Sequence, residues 1–447
     1  IRVDLYAEGF HVFTSEFPNE AFEYDPGVFY RGVVRGKEGS STAAISVFND
    51  QIIGMFSTDE GNTVLYPMKD TKEEILIYND KDFTVEMPFN CSTDELSNVL
   101  IDPAPKSEMA AGDCIRVYIE CDYALFQNKG DVTATTNWIT SVYNNVATLY
   151  TAESINTTVS EVYVWTTPDA YSKTSSIDAL NKFRTDRGTF NGDLAHLAAL
   201  GGQNIGGVAW VDVLCSSYKY AYSNISASYS TVPTYSWTIE VMTHEMGHNF
   251  GSWHTHSCVW GPFKNMQLDN CQTPDIGSCN PGPTPVGGGT IMSYCHLTGI
   301  GINFSKGFGQ EPGDLLRNAV NTKPCLVSSF VASQKISVGG PYYLGDTIKL
   351  IAKPYKSTYT YDWFHYDYRI PGKNDTFLDI KYSGIFTAAI SNKCSEYADP
   401  DTITLNDFQV NLGCPVIAGK KDSIVYQIAL NVDNPESSDS LTFPSNL

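Results

Sequence analysis

The stretch HEMGHNFGSWH (residues 244–254) places three histidines and one glutamate close together, in a chain with only 8 histidines. On a helix, His244 and His248 lie one turn apart on the same face, so their imidazoles can share one metal ion. Gly251 allows a sharp turn because glycine tolerates positive φ, and this turn can return His254 as a third ligand. Three neutral nitrogens leave a fourth position open, which is typical of catalytic rather than structural zinc sites.

Glu245 follows His244 directly and is predicted to reach the open position instead of binding the metal. Zinc lowers the pKa of a bound water to about 7. Glu245 can accept the proton of that water and pass it to a leaving amine, so the spacing predicts peptide-bond hydrolysis. The alternative is a helix with histidines at chance positions, and the number of specified positions disfavours it.

Alternating strands and helices surround this stretch, which predicts an α/β domain that positions it. Helical spacing of apolar residues from Ile139 to Tyr150 indicates a long amphipathic helix. The other predicted elements are strands at CIRVYIECDYAL, EVYVWTT (161–167) and GGVAWVDVL (206–214), and helices at SSIDALNKFRTD and TIEVMTHEMGHNF (238–250).

The residue pattern of the sequence changes on both sides of this domain. Short β-branched and aromatic runs from 28 to 90 predict a β-rich domain, and strand patterns after Cys325 predict a β-sandwich. The predicted division of the chain is a β-rich domain at 1–96, a linker at 97–113, an α/β domain at 114–328, a β-sandwich at 329–412, and a tail or the start of a truncated further domain at 413–447.

Composition excludes several classes of protein. A net charge of -21 disfavours nucleic acid as a partner, and the absence of a long apolar run predicts no membrane segment. The 11 cysteines favour an exported, disulfide-bonded protein and, being odd in number, leave at least one thiol without an intramolecular partner. The start at Ile1, without Met or a signal pattern, suggests a trimmed chain or a fragment.

The zinc motif and a second stretch together resemble the metzincin endopeptidases. HEMGHNFGSWH is similar to their zinc signature, and GTIMSYC (289–295) is similar to their Met-turn, with Met292 packed beneath the metal. CIRVYIECDYALF, NGDLAHLAALGG, GGVAWVDVLC and TIMSYC resemble the adamalysin (reprolysin) type over about residues 114 to 326. Thr255 departs from that family, which usually has Asp at this position, and this leaves the subfamily open.

The resemblance implies a metzincin catalytic domain with a mixed sheet and an active-site helix, in a secreted zinc-dependent endopeptidase. His244, His248 and His254 would hold Zn²⁺, and Glu245 would be the general base. A polypeptide substrate would lie antiparallel to the edge strand GGVAWVDVL. Tyr294 is a candidate for assisting an oxyanion, as a similarly placed tyrosine does in astacins, and His256 is interpreted as structural.

Further expectations come from the resemblance alone. A calcium site would involve Glu120, Asp193 and the carbonyl of Cys325. The implied disulfides are Cys215–Cys325 and two among Cys258, Cys271, Cys279 and Cys295. Cys114–Cys121 and Cys394–Cys414 are predicted only as pairs of the remaining cysteines, without support from the family pattern.

The first β-rich segment resembles an adamalysin propeptide, through GVFYRGVVRGKEGSSTAAISVFNDQIIGMFS and VLYPM. This predicts a latent zymogen in which the propeptide inhibits the enzyme in cis. Cys91, in FNCSTD, is the expected zinc ligand that displaces water; Asp94 is the second candidate, and a buried or surface thiol without a metal role is the alternative. Activation would need a cut between about 95 and 113, where Lys106 is a plausible cleavage residue.

The segment TYDWFHYDYRIPGKNDTFLDIKYSGIFTAAISNKC resembles an immunoglobulin-like domain, with Trp363 as the core tryptophan. Two other functions are weighed against the latent protease. One is a catalytically silent extracellular binding or adhesion protein that keeps a metal site, and the intact Glu245 argues against it. The other is a structural zinc protein, which the open three-histidine site disfavours.

Overall fold

Strands account for most of the regular structure in the computed structural model of this chain. The structure describes residues 1–49, 51–67, 74–82, 91, 93, 115–225, 235–323, 335–339, 347–353, 360–366, 368–381, 384–391 and 401–405. The chain divides into two units, Ile1–Val327 and Ser328–Leu447. The architecture is therefore β-rich, with several sheets and few helices among the described residues.

The described residues of the first unit form two six-stranded sheets and five α-helices. Its strands are β1 (Arg2–Val3), β2 (Tyr6–Thr14), β3 (Val28–Gly32), β4 (Thr42–Phe48), β5 (Gln51–Thr58), β6 (Gly61–Pro67), β7 (Ile75–Asn79), β8 (Ile115–Cys121), β9 (Thr157–Val164), β10 (Leu194–Leu200), β11 (Val208–Ala209) and β12 (Tyr220–Ile225). Its helices are α1 (Tyr123–Lys129), α2 (Val132–Ala152), α3 (Ser176–Asp186), α4 (Tyr235–Asn249) and α5 (Gln310–Thr322).

The sheet that underlies the zinc motif has the order β11-β12-β10-β8-β9-β2. Its pairs are parallel, except that β11 runs antiparallel to β12 at one edge. The sheet is thus mixed, as expected. Its other edge is β2, which belongs to the N-terminal segment (residues 1–96). The local sequence pattern did not assign this strand to the sheet.

Helix α2 is buried along almost its whole length although it is rich in threonine, serine and asparagine. Asp131 begins it, with a side chain that accepts a hydrogen bond from the Ala134 amide at 2.7 Å. The hydroxyls of Thr136, Thr140 and Thr148 donate to carbonyls one turn earlier in the same helix. These local bonds satisfy the buried hydroxyls, so a polar helix can be enclosed on all sides.

The second sheet of this unit has the order β1-β3-β4-β5-β6-β7 and is antiparallel throughout. Its buried side chains, such as Phe29 and Met55, belong to the same hydrophobic core as Ile139 and Val146 of α2. The N-terminal segment and the α/β segment therefore share one core. This differs from the predicted division, which made residues 1–96 a domain of their own.

The second unit has two antiparallel sheets around one hydrophobic core. Trp363, the predicted core tryptophan, is fully buried, and its indole nitrogen donates to the Asp375 carbonyl at 2.9 Å. The strands are β13 (Lys335–Gly339), β14 (Ile348–Lys353) and β17 (Phe377–Ile380) in one sheet, and β15 (Thr360–His365), β16 (Tyr368–Arg369), β18 (Gly384–Ser391) and β19 (Asp401–Leu405) in the other. Among the described residues, no helix is long and apolar enough to span a bilayer.

Candidate active site

Helix α4 and the turn that follows it bring three histidines together. His244 and His248 lie one helical turn apart on α4. The helix ends at Asn249, and Gly251, two residues later, adopts a φ of 107° and donates its amide hydrogen to the His248 carbonyl at 2.8 Å. The reversed chain then places Nε2 of His254 only 3.1 Å from Nε2 of His248.

Each of these imidazoles has its Nδ1 engaged, which leaves Nε2 for a common centre. Nδ1 of His244 lies 2.8 Å from the Ile291 carbonyl, and Nδ1 of His248 lies 2.7 Å from the Ser252 carbonyl. Burial, followed by the neighbouring histidines, lowers the pKa of His244 and of His248 well below the usual value. Both are therefore neutral, which is the form that binds a metal ion.

The fourth member of the group is Cys91, which the structure brings beside the histidines from the N-terminal segment. Its Sγ lies 3.7 Å from His248 Nε2 and 3.6 Å from Glu245 Oε2. The ligand atoms of Cys91, His244, His248 and His254 all lie within 4.8 Å of one another, and all four residues are buried.

This donor set fits zinc. Nitrogen ligands at about 2.0–2.1 Å and a sulfur ligand at about 2.3 Å, arranged as a tetrahedron, are separated from one another by roughly 3.3–3.6 Å. The observed separations of 3.1 Å between His248 and His254, and of 3.7 Å between His248 and Cys91, are close to these values. The group is thus a buried three-histidine, one-cysteine cluster that could bind a metal ion.

Two further contacts hold the chain around Cys91 at the site. The Cys91 amide donates to the Tyr294 hydroxyl at 3.1 Å. Thr93 accepts a hydrogen bond from the Ala209 amide of β11 at 3.2 Å, through its Oγ1. The Cys91 segment therefore lies against the edge strand on which a substrate was expected.

Met292 is fully buried against α4, while its predicted position beneath a metal ion stays a prediction. A Cβ built on Gly247 of α4 would lie 2.7 Å from its sulfur, so the helix and the turn are in close contact. The Met292 carbonyl accepts hydrogen bonds from the Thr255 amide at 3.0 Å and from the Thr255 hydroxyl at 3.3 Å. Thr255, the departure from the family pattern, thus ties the third histidine's loop to this turn.

Asp275 is a site residue that the sequence did not reveal. Its Oδ2 lies 2.5 Å from Nδ1 of His254, and its Oδ1 accepts from the Ser257 hydroxyl at 2.5 Å. Burial raises the pKa of Asp275, but the hydrogen bonds from His254 and Ser257 outweigh this and lower it overall. It is 21 residues beyond His254 in an irregular loop, so no periodicity could have linked the two.

His256 is buried beside this pair and stacks on His254, with ring centroids 4.9 Å apart. Burial, followed by His254, lowers its pKa to about 4. It lies outside the three-histidine, one-cysteine group but forms a second possible metal-binding group with His254 and Asp275, so its interpretation as structural stays a prediction.

The loop that carries Asp275 is held by two disulfides, Cys258–Cys279 and Cys271–Cys295. Two bridges among these four cysteines were expected, and this is confirmed. Cys215 is also disulfide-bonded, whereas its predicted partner Cys325 lies outside the described residues, as do Asp94, Lys106, Cys394 and Cys414.

The predicted pair Cys114–Cys121 is wrong. Cys121 is a fully buried thiol at the end of β8. A free thiol at Cys121 contradicts the pair, and Cys114 itself lies outside the described residues.

Of the residues predicted to bind calcium, the structure describes Glu120 and Asp193, and these two lie at different points along the sheet. Glu120 pairs in register with Leu197 of β10. Asp193 lies just before β10 begins, four residues before Leu197. Glu120 accepts hydrogen bonds from Tyr171 and Arg187, both at 2.5 Å, and Asp193 accepts from the Arg116 amide at 2.8 Å. The arrangement of the described residues therefore gives the calcium prediction no support.

Comparison with known families agrees with this geometry. Residues 112–303 match the model of Reprolysin_5, metallo-peptidase family M12. The match covers less than half of the chain, and it contains all three histidines, Glu245, Asp275 and Met292. This part of the chain is therefore similar to an M12 metallopeptidase domain, the zinc-dependent class to which the site chemistry points.

Solved structures with some likeness include metalloproteinase-II from Bacteroides fragilis, at 14% identity and a TM-score of 0.28, covering 56% of this chain and 77% of that one. Archaemetzincin from Methanopyrus kandleri has 14% identity and a TM-score of 0.30, with coverage of 47% and 97%. A chaperone–substrate complex has 13% identity and a TM-score of 0.29, and the matched region spans 61% of this chain but only 39% of that one. Likeness at these TM-scores does not establish a shared fold.

Proposed function

We propose that this protein is a secreted zinc endopeptidase of the reprolysin type, held latent by its own N-terminal segment. The observation that carries the proposal is the buried cluster of Cys91 with His244, His248 and His254, beside Glu245. Three histidines alone would support a peptidase. The added cysteine supports an inhibited one, because a thiolate is a strong zinc ligand.

In this proposal His244, His248 and His254 hold the zinc, which when bound supplies a Lewis acid and lowers the pKa of water. Glu245 accepts a proton at Oε2, the oxygen that lies 3.6 Å from the Cys91 sulfur, and donates it to the leaving amine. Cys91 excludes water from the fourth position until it is displaced.

The edge strand β11 is the proposed binding surface for a polypeptide substrate. An extended peptide would add to it by main-chain hydrogen bonds. The bond from the Ala209 amide to Thr93 supports this, because the inhibitory segment engages a donor that a substrate would also use. The disulfides support an extracellular location, since such bonds persist in oxidising compartments.

The first test compares hydrolysis of a denatured protein by the intact chain and by Cys91→Ala. While Cys91 occupies the fourth metal position, only a small fraction of the molecules is competent for hydrolysis. We therefore expect Cys91→Ala to raise the activity about tenfold or more. Cys121→Ala is the matched control, since it removes the other buried thiol and should leave activity unchanged. Equal activity of all three proteins would contradict inhibition by Cys91.

The second arm adds Glu245→Gln to Cys91→Ala and measures zinc content together with activity. Loss of a general base lowers the rate by about 10² to 10⁴, while zinc should stay bound. A chelator should abolish the activity of Cys91→Ala, and added zinc should restore it. A protein that binds zinc but hydrolyses nothing, even after limited proteolysis, would favour the silent binding protein instead.

A further inference from the structure

Strand β2 is part of the sheet that supports the proposed catalytic centre. It runs parallel to β9, with His11 to Thr14 in register with Glu161 to Val164. The pairing is extended by hydrogen bonds from the Ser15 amide to the Val164 carbonyl at 3.0 Å and from the Val159 amide to the Leu5 carbonyl at 2.9 Å. Removing β2 would leave β9 as the edge of the sheet, with the backbone N–H and C=O groups that now pair with β2 exposed.

The antiparallel sheet of the N-terminal segment covers the face of α2 that the central sheet does not. Asn144 of α2 is fully buried and donates through Nδ2 to the Ser46 hydroxyl at 3.3 Å and to the Ile45 carbonyl at 3.3 Å. Its Oδ1 accepts from Arg31 Nε at 3.2 Å. Without the N-terminal segment these polar groups and the apolar side chains around them would face water.

A third contact joins the N-terminal segment to the region beyond the Met-turn. Asn62 donates to the Ile302 carbonyl at 2.9 Å and accepts from the Phe304 amide at 3.0 Å. Asn303 donates to the Thr58 carbonyl at 2.9 Å. All these side chains are almost fully buried, so the interface resembles the interior of a domain and not a transient contact.

The inhibitory contacts involve different residues. Cys91 contacts the histidine cluster, and Thr93 accepts a hydrogen bond from β11. A cut between about 95 and 113 would remove none of the contacts made by residues 1–67. Release of the cysteine and loss of the N-terminal segment are thus separable events.

We propose that the activated enzyme is a two-chain protein, in which residues 1–67 remain as a permanent part of the catalytic unit and only the stretch around Cys91 leaves the site. The location of the activating cut rests on the proposed function. The association of the two fragments does not, because it follows from the shared sheet and core.

The test inserts the recognition sequence of a specific protease between residues 97 and 113 of the full chain that carries Glu245→Gln. After complete cleavage, native size-exclusion chromatography should show both fragments together at the size of the uncut chain, and they should separate only in denaturant. Separate elution of the N-terminal fragment under native conditions would overturn the proposal. Because Glu245→Gln is designed to be inactive, this result does not depend on any peptidase activity of the protein itself.

A variant links the association to the observed contacts. Asn144→Ala removes the hydrogen bonds to Arg31, Ile45 and Ser46, so the urea concentration at which the cleaved fragments separate should fall by roughly 1 M. Asn181→Ala, on the exposed side of α3, should not change it. Equal urea midpoints for the two variants would show that this interface does not hold the fragments together.

The same cut in a chain that retains Glu245 tests the two proposals separately. Peptidase activity should elute in the peak that contains both fragments. Activity confined to fractions without residues 1–67 would overturn the two-chain form. Absence of activity from every fraction would count against the proposed function, while the chromatographic result would still decide whether the fragments stay together.

Discussion

At the scale of single residues, the third histidine differs from the first two in what orients it. His244 and His248 have Nδ1 against backbone carbonyls, whereas His254 has it against the Asp275 carboxylate at 2.5 Å. A carboxylate at this position fixes the ring orientation and increases the basicity of the imidazole towards a metal. Adamalysins usually have an acid directly after this histidine, and here Thr255 takes that place and binds the Met-turn instead.

We therefore expect Asp275→Asn to lower the affinity for zinc by about 10- to 100-fold, the effect typical of a lost partner of a metal-binding histidine. Competition with a chromophoric chelator measures the zinc dissociation constant directly. Asp186→Asn is the matched control, because Asp186 pairs with Lys182 on α3. An unchanged dissociation constant in Asp275→Asn would show that the carboxylate only stabilises the loop.

The sequence predicts the residues of this site that lie close together along the chain better than those that are distant. His244, Glu245, His248 and His254 lie within eleven residues, so helical periodicity and one glycine turn are enough to assemble them. Asp275 approaches through a loop held by two disulfides, and no spacing rule describes such a path. Cys91 was found by elimination from the cysteine count and by resemblance, but its contacts with Tyr294 and β11 required the folded chain.

At the scale of elements, α4 lies very close to the chain that leads into β11. A Cβ built on Gly207 would fall 2.1 Å from Oε1 of Glu245 and 2.5 Å from its carboxyl carbon. Real Cβ atoms do not come this close to their neighbours. The Glu245 carboxylate can therefore occupy its position only because residue 207 has no side chain. Glycine in a strand often marks such a close approach.

We expect Gly207→Ala to displace the Glu245 carboxylate and to lower the turnover of the Cys91→Ala enzyme by about 100-fold, because a misplaced catalytic group costs a factor of that order. Zinc content should not change, since the atoms nearest to the added methyl all belong to Glu245. The control is Gly188→Ala, where an added methyl meets no atom within 4 Å. Normal turnover in Gly207→Ala would mean that Glu245 has room to move.

Elements were predicted well where the pattern is local and poorly where pairing is distant. Patterning predicted α4 at 238–250, and the helix spans Tyr235–Asn249. The predicted strand at 206–214 is shortened to Val208–Ala209, because most of that segment forms the turn beside α4. Strand β2 joins β9 across more than 140 residues, and hydrophobic alternation reports which face a strand buries but not which strand it pairs with.

At the scale of the whole molecule, the two units have separate hydrophobic cores and separate sheets. The residues proposed to bind zinc all belong to the first unit, Ile1–Val327. A ligand that binds only the folded form of one unit stabilises that unit and leaves the other unaffected. The division therefore gives a calorimetric test of where the metal binds.

Scanning calorimetry of the Cys91→Ala protein should show two transitions, one for each unit. Zinc in 1,000-fold excess over its dissociation constant stabilises the folded form by about 4 kcal/mol, which for a unit of this size raises the midpoint by roughly 6 °C. Only the transition of the first unit should move. Trp363→Ala opens a cavity in the core of the second unit, so it should lower the midpoint of that unit's transition alone and thereby identify it. The double variant His244→Ala, His248→Ala should abolish the shift caused by zinc. A zinc-dependent shift of the transition that Trp363→Ala lowers would place a metal site in the second unit, contrary to the proposal.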